Sequence, residues 1–104
     1  MSLKKQFLKS RPTCKVTFRL PKEAANNAKE VKLLGDFNDW DEAKGIPMKI
    51  NKSDCSTTVE LPIGNEFQFK YLLDGKTWLN DWQADKYVAS PFGEENSVVI
   101  TTIS

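Results

Sequence analysis

A chain of 104 residues, 39% apolar and 28% charged, fits one domain with a hydrophobic core of its own. Lys and Arg nearly balance Asp and Glu, for a net charge of +1. That balance argues against nucleic acid, whose binders carry a basic excess, and against an anionic membrane surface. Histidine is absent and the two cysteines are far apart, which removes the commonest general base, the usual metal ligand and any Cys-x-x-Cys site, and favours a reduced, cytoplasmic chain.

Residues 1–12 hold no apolar run long enough for a secretory signal and read as a loosely ordered N-terminal extension of a single domain spanning 1–104. Period-two alternation then takes over. In "TCKVTFRL", Cys14, Val16, Phe18 and Leu20 point one way and the polar residues the other, the pattern of a half-buried strand. "PKEAANNAKE" breaks the alternation with proline, asparagines and charges and reads as a loop. "VKLLGDF" predicts a second strand, "PMKI" a short third and "STTVELP" a fourth. "EFQFKYLLDG" is the strongest strand pattern. Phe67, Phe69, Tyr71 and Leu73 share one face, with Gln68, Lys70 and Leu72 on the other, and Asp74-Gly75 signals a hairpin. "KTW" returns briefly, "LNDWQADKYVASPFGEEN" is irregular, and "SVVITTI" closes the chain as a last strand.

Six to seven short strands with no sustained helical period predict an all-β fold, an immunoglobulin-like antiparallel β-sandwich. Cys14, Val16, Phe18, Val31, Leu33, Phe37, Val59, Leu61, Phe67, Phe69, Tyr71 and Val98 are the expected core. Both thiols are expected to be unpaired.

The three tryptophans all fall in predicted loops: Trp40 in "FNDWDE", Trp78 in "GKTWLN" and Trp82 in "NDWQAD". A single loop tryptophan more often caps a core than binds anything. Three of them, each near Asp or Asn, shift the balance. A flat ring packs against the C–H face of a pyranose while polar neighbours bond its hydroxyls. Trp40 and Trp78 are expected to be exposed on one side of the molecule. Lys70, on the polar face just before the hairpin, is a further candidate, although an outward lysine is usually only solvated.

Catalysis finds little support. A glycosidase needs two carboxyls facing each other across a cleft, and the acids here are scattered through loops. "DFNDWDEAKG" matches an EF-hand loop at Asp36 and Asn38, but Trp40 stands at the third ligand position and glycine is missing at the sixth, so no calcium or other metal site is expected. Nothing calls for a cofactor.

Taken together, "VKLLGDFNDWDE", "PMKI", "VELPIGNEFQFKYLLDGKTW" and "PFGEENSVVI" resemble the glycogen-binding domains of AMP-activated protein kinase β subunits, in carbohydrate-binding module family 48. The same family holds the N-terminal early-set domains of branching and debranching enzymes. The likeness runs over about 31–100 and more loosely from 14. G-x-F-N-x-W, F-K-Y-x-x-D-G and a closing G-x-x-N are specific as a set and weak singly.

The resemblance implies a non-catalytic sandwich that binds α-1,4-linked glucan. It places the family's stacking tryptophans on Trp40 and Trp78, the second with one extra residue before it. The binding lysine falls on Lys70 and the last-loop asparagine on Asn96. Phe92 stands where the kinase domains have leucine, and Glu94 where they have threonine. "NDWQADKY" is similar to the variant in small free-standing bacterial members. Expected partners are an α-glucan and a glucan-processing enzyme or kinase. A second reading stays open: an immunoglobulin-like scaffold that has lost sugar binding and docks a protein through its tryptophans.

Overall fold

The computed structural model describes residues 3–91 and 93–102. Ten strands occur among them: β1 (Leu3–Phe7), β2 (Thr13–Pro21), β3 (Val31–Gly35), β4 (Ile46–Pro47), β5 (Lys49–Ile50), β6 (Asp54–Pro62), β7 (Glu66–Leu73), β8 (Thr77–Leu79), β9 (Lys86–Ala89) and β10 (Glu95–Ile100). They form two antiparallel sheets. The first runs β1-β2-β6-β5; the second runs β4-β3-β7-β10-β9, with β8 also on β7.

The alternation in β2 and β6 fixes their register. Cys14 lies opposite Leu61, Val16 opposite Val59 and Leu20 opposite Cys55, so the apolar set of both strands faces inward. Strand β7 answers from the other sheet. Phe18 meets Phe69 edge-on at 5.0 Å between ring centres, and Phe69 meets Tyr71 at 5.8 Å. Phe37 joins them beside Phe18 and Phe67. Each fully buried ring of this kind contributes roughly 1.5–3 kcal/mol by leaving water. Both cysteines are buried and free, and burial pushes each thiol above its ordinary pKa.

Three expectations are corrected. Residues 3–7 are no loose extension. They form β1, with Leu3 opposite Phe18 and Phe7 opposite Cys14. Alternation hid this strand because its middle inward residue is Lys5, whose ammonium reaches across to Asp85 at 2.7 Å.

The described residues hold ten strands rather than six or seven. "PMKI" is not one strand: β4 pairs with β3 and β5 with β6, so the chain changes sheets at buried Met48. Strand β9 lies within the segment read as irregular, paired along β10.

Val98 is buried, but it lies opposite Gln68, on the face of the second sheet turned away from the core. Val99, opposite Phe67, takes the core position. Two adjacent valines leave period-two reasoning without a way to choose.

That outer face is apolar as well. Leu34 and Leu72 are buried there beside Val98, with Lys70 opposite Leu34 and Trp78 opposite Leu72 in the ladder.

Candidate functional site

The central strand β7 organises the site. One of its edges pairs with β3 from Phe69 to Leu73. The other is shared: β10 pairs along Glu66 to Phe69, and β8 along Tyr71 to Leu73. Lys70 falls at the junction between β10 and β8. Residues directly opposite in a ladder share a face, and so do residues two apart on a strand. Lys70, Gln68, Trp78 and Asn96 therefore all project from the outer face. This is the arrangement that a hairpin at Asp74-Gly75 and a returning last strand produce together.

Trp40 comes to the same place by a different route. At Gly35 the backbone passes so close to β7 that a Cβ would collide with the Gln68 carbonyl oxygen. A 3-10 turn, Asp36–Asn38, follows. Asn38 holds it, accepting from the Gly35 N–H at 3.0 Å and donating to the Leu33 carbonyl at 3.1 Å. Asp39 and Trp40 then both adopt left-handed backbone, at φ 59° and 56°. For a bulky residue such as tryptophan this conformation costs on the order of 1–3 kcal/mol and persists only where neighbours enforce it.

The enforcing contacts are specific. The Trp40 N–H donates to the Gly35 carbonyl at 3.0 Å, and its indole Nε1–H donates to Asp36 Oδ1 at 3.0 Å. The second oxygen of Asp36 accepts from the Gln68 N–H of β7 at 2.7 Å. One carboxylate thus ties the indole to the strand that carries Lys70.

The two rings stand 6.3 Å apart between centres, inclined at 55°. They open onto a groove of about 410 Å³ whose other lining residues are Gln68, Lys70, Ser90, Pro91, Glu94 and Asn96. Trp78 is 44% exposed. Trp40, expected to be equally exposed, is half-buried, because its indole N–H is turned onto Asp36 and its ring leans towards Trp78. Lys70 is largely buried and its Nζ donates to Glu94 Oε2 at 3.1 Å. Asn96 Nδ2 donates to Gln68 Oε1 at 2.9 Å, leaving a row of amide groups along the groove floor. Phe92, also a candidate, lies outside the described residues.

Gln68, Ser90 and Pro91 line the groove without having been singled out from sequence. The alternation that placed Gln68 on the face of Lys70 contained the signal for it; nothing comparable marks Ser90 and Pro91. Trp82 is 54% exposed and does not line the groove. Its loop is nonetheless firmly held. Buried Asp81 accepts from the Tyr71 hydroxyl at 2.5 Å and from the Gln83 N–H at 2.7 Å, and its N–H donates to Ser97 Oγ at 2.8 Å. The Tyr87 hydroxyl donates to the Asp81 carbonyl at 2.6 Å. Burial, and then the Asp81 carboxylate, push the Tyr71 hydroxyl well above the usual phenol range, so it remains a donor. Asn80 links this cluster to the start of β10, donating to the Glu95 carbonyl at 2.8 Å and accepting from Ser97 Oγ at 2.8 Å.

Among the described residues no three acids or thiols converge to hold a metal ion. Glu94 is the sole carboxylate among the described residues lining the groove. Two flat aromatic faces, amide donors and acceptors, one ammonium and one carboxylate can bind a polyhydroxylated chain by stacking and hydrogen bonding.

Residues 10–101 match the family model described as the glycogen recognition site of AMP-activated protein kinase. No curated protein matches the chain significantly.

Proposed function

The chain belongs to the family of AMP-activated protein kinase glycogen-recognition sites, a family of carbohydrate-binding modules, and from that premise we propose that it is a non-catalytic module for α-1,4-linked glucan with its binding surface in the groove on the outer face of the second sheet. The observation that carries the reading is the convergence of Trp40 and Trp78, 6.3 Å apart between ring centres, over that groove. The rings stack on successive glucose units. Lys70, Asn96 and Gln68 bond hydroxyls from below. Hydrolysis of a glycosidic bond calls for two opposed carboxyls, and a groove with one carboxylate, Glu94, among its described lining residues supports binding rather than cleavage. An enzyme or kinase acting on glucan is the class of partner that such a module would bring to polysaccharide.

The anchors are few and the groove is open, so a dissociation constant on the order of 10 μM to 1 mM is expected. Affinity electrophoresis in glycogen, in amylose and in cellulose tests the reading. Retardation by the two α-glucans and not by cellulose is expected. Passage through all three gels at the mobility of a non-binding control overturns it. The competing view, a protein-docking scaffold that uses Trp40, Trp78 and Trp82, would then take its place.

A further inference from the structure

We propose that Glu94 makes the groove selective for neutral α-glucan over phosphorylated chains, an inference that rests on the glucan-binding reading above. The charges around the groove carry it. Lys70 is the sole cation among the described lining residues, and Glu94 the sole anion. They are paired at 3.1 Å, the lysine side chain 10% exposed and the glutamate 72% exposed. The ammonium is therefore fixed in the sheet surface, while the carboxylate stands over it at the mouth. The lining is neutral as a whole. Asp36, bonded to the Trp40 indole, adds negative charge behind that ring.

A neutral sugar meets no penalty there. Its hydroxyls donate to Glu94 in charge-assisted bonds and accept from Lys70. A phosphate monoester brings a charge of about −1.5 to −2. At the groove it meets the Glu94 carboxylate, unscreened within a Debye length of roughly 8 Å, and the one cation among the described lining residues is already matched. Displacing Glu94 from Lys70 would not remove its charge, because the side chain remains tethered at the rim. A single lysine paired in this way is unlike an anion site, where unmatched basic groups or backbone N–H groups converge.

The test compares maltoheptaose with maltoheptaose carrying one phosphate monoester, by titration calorimetry of the whole chain in low salt. Wild type is expected to bind the neutral ligand at least about fivefold more tightly. Raising salt to about 0.5 M should shrink the gap towards twofold, because screening weakens repulsion. Glu94→Gln should close the gap in low salt or invert it, with Lys70 released towards the phosphate. Equal or tighter binding of the phosphorylated ligand by wild type overturns the inference. So does a gap that survives both high salt and Glu94→Gln, which would mark steric exclusion. Failure of maltoheptaose itself to bind is a separate result: it removes the glucan site, and the inference with it.

Discussion

Replacing Trp78 by alanine separates the binding role of the platform from its structural one. Trp78 lies on the short strand β8 and is 44% exposed. Of a side chain presenting roughly 250 Å², about 110 Å² therefore faces water. A pyranose stacked on the ring covers about half of that, roughly 55 Å². At about 25 cal/mol per Å² the contact is worth roughly 1.4 kcal/mol, or about a tenfold change in Kd. The other ~140 Å² packs along the sheet surface opposite Leu72, and at the same coefficient its loss costs the fold up to roughly 3.5 kcal/mol. A fall in melting temperature of roughly 10–25 °C, at about 4–8 °C per kcal/mol, with a cooperative melt retained, is expected. Calorimetric titration with maltoheptaose, beside a thermal melt, measures both. Binding within twofold of wild type in a folded Trp78→Ala protein would refute the stacking geometry. A collapse of the melt would show that the ring serves the fold instead.

The remaining predictions concern the supports of the groove. Asp36→Ala strips acceptors from the Trp40 indole and the Gln68 N–H; it should cost about 1–3 kcal/mol in chemical denaturation and weaken glucan binding without any change to a stacking ring, whereas unchanged binding would show that left-handed Trp40 needs no such brace. Gly35→Ala drives a methyl group into the Gln68 carbonyl and should destabilise the protein by at least about 1–3 kcal/mol in the same assay, a steric cost since the Gly35 φ of −178° is ordinary extended backbone. Tyr71, whose hydroxyl is pushed above its ordinary pKa by burial and by Asp81, keeps its proton in the folded state while the unfolded chain releases it. Its contribution is thus fully present below about pH 10 and is lost as pH rises beyond that value. The wild-type melting temperature should fall more steeply above pH 10 than that of Tyr71→Phe, and parallel curves would contradict the assignment.

Sequence reasoning reached the sandwich because β2, β6 and β7 carry clean alternation, and alternation is what burying one face of a strand demands. It failed where that demand is relaxed. Strand β1 puts Lys5 inward at the sheet edge, where Asp85 compensates it. Strands β4 and β5, with two residues each, are too short to show a period, and adjacent Val98 and Val99 fit either face. Trp40, Trp78, Lys70 and Asn96 were each visible as residues, through the polar company of the rings and the family pattern. What brings them together was not: β8 and β10 share one edge of β7, a long-range pairing that no local window contains. The half-burial of Trp40 was equally hidden, since it follows from a left-handed backbone and a carboxylate acting in two directions. The reach of Glu94 to Lys70 depends on how the preceding loop returns to the sheet.

The most direct test of the glucan groove is a two-dimensional ¹H–¹⁵N spectrum of the chain titrated with maltoheptaose. The three indole Nε1–H signals report separately on Trp40, Trp78 and Trp82. The account predicts saturable shifts for Trp40 and Trp78, together with the side-chain amides of Gln68 and Asn96, while Trp82 stays in place. Saturable shifts confined to Trp82, or a spectrum unmoved at millimolar ligand, would contradict it.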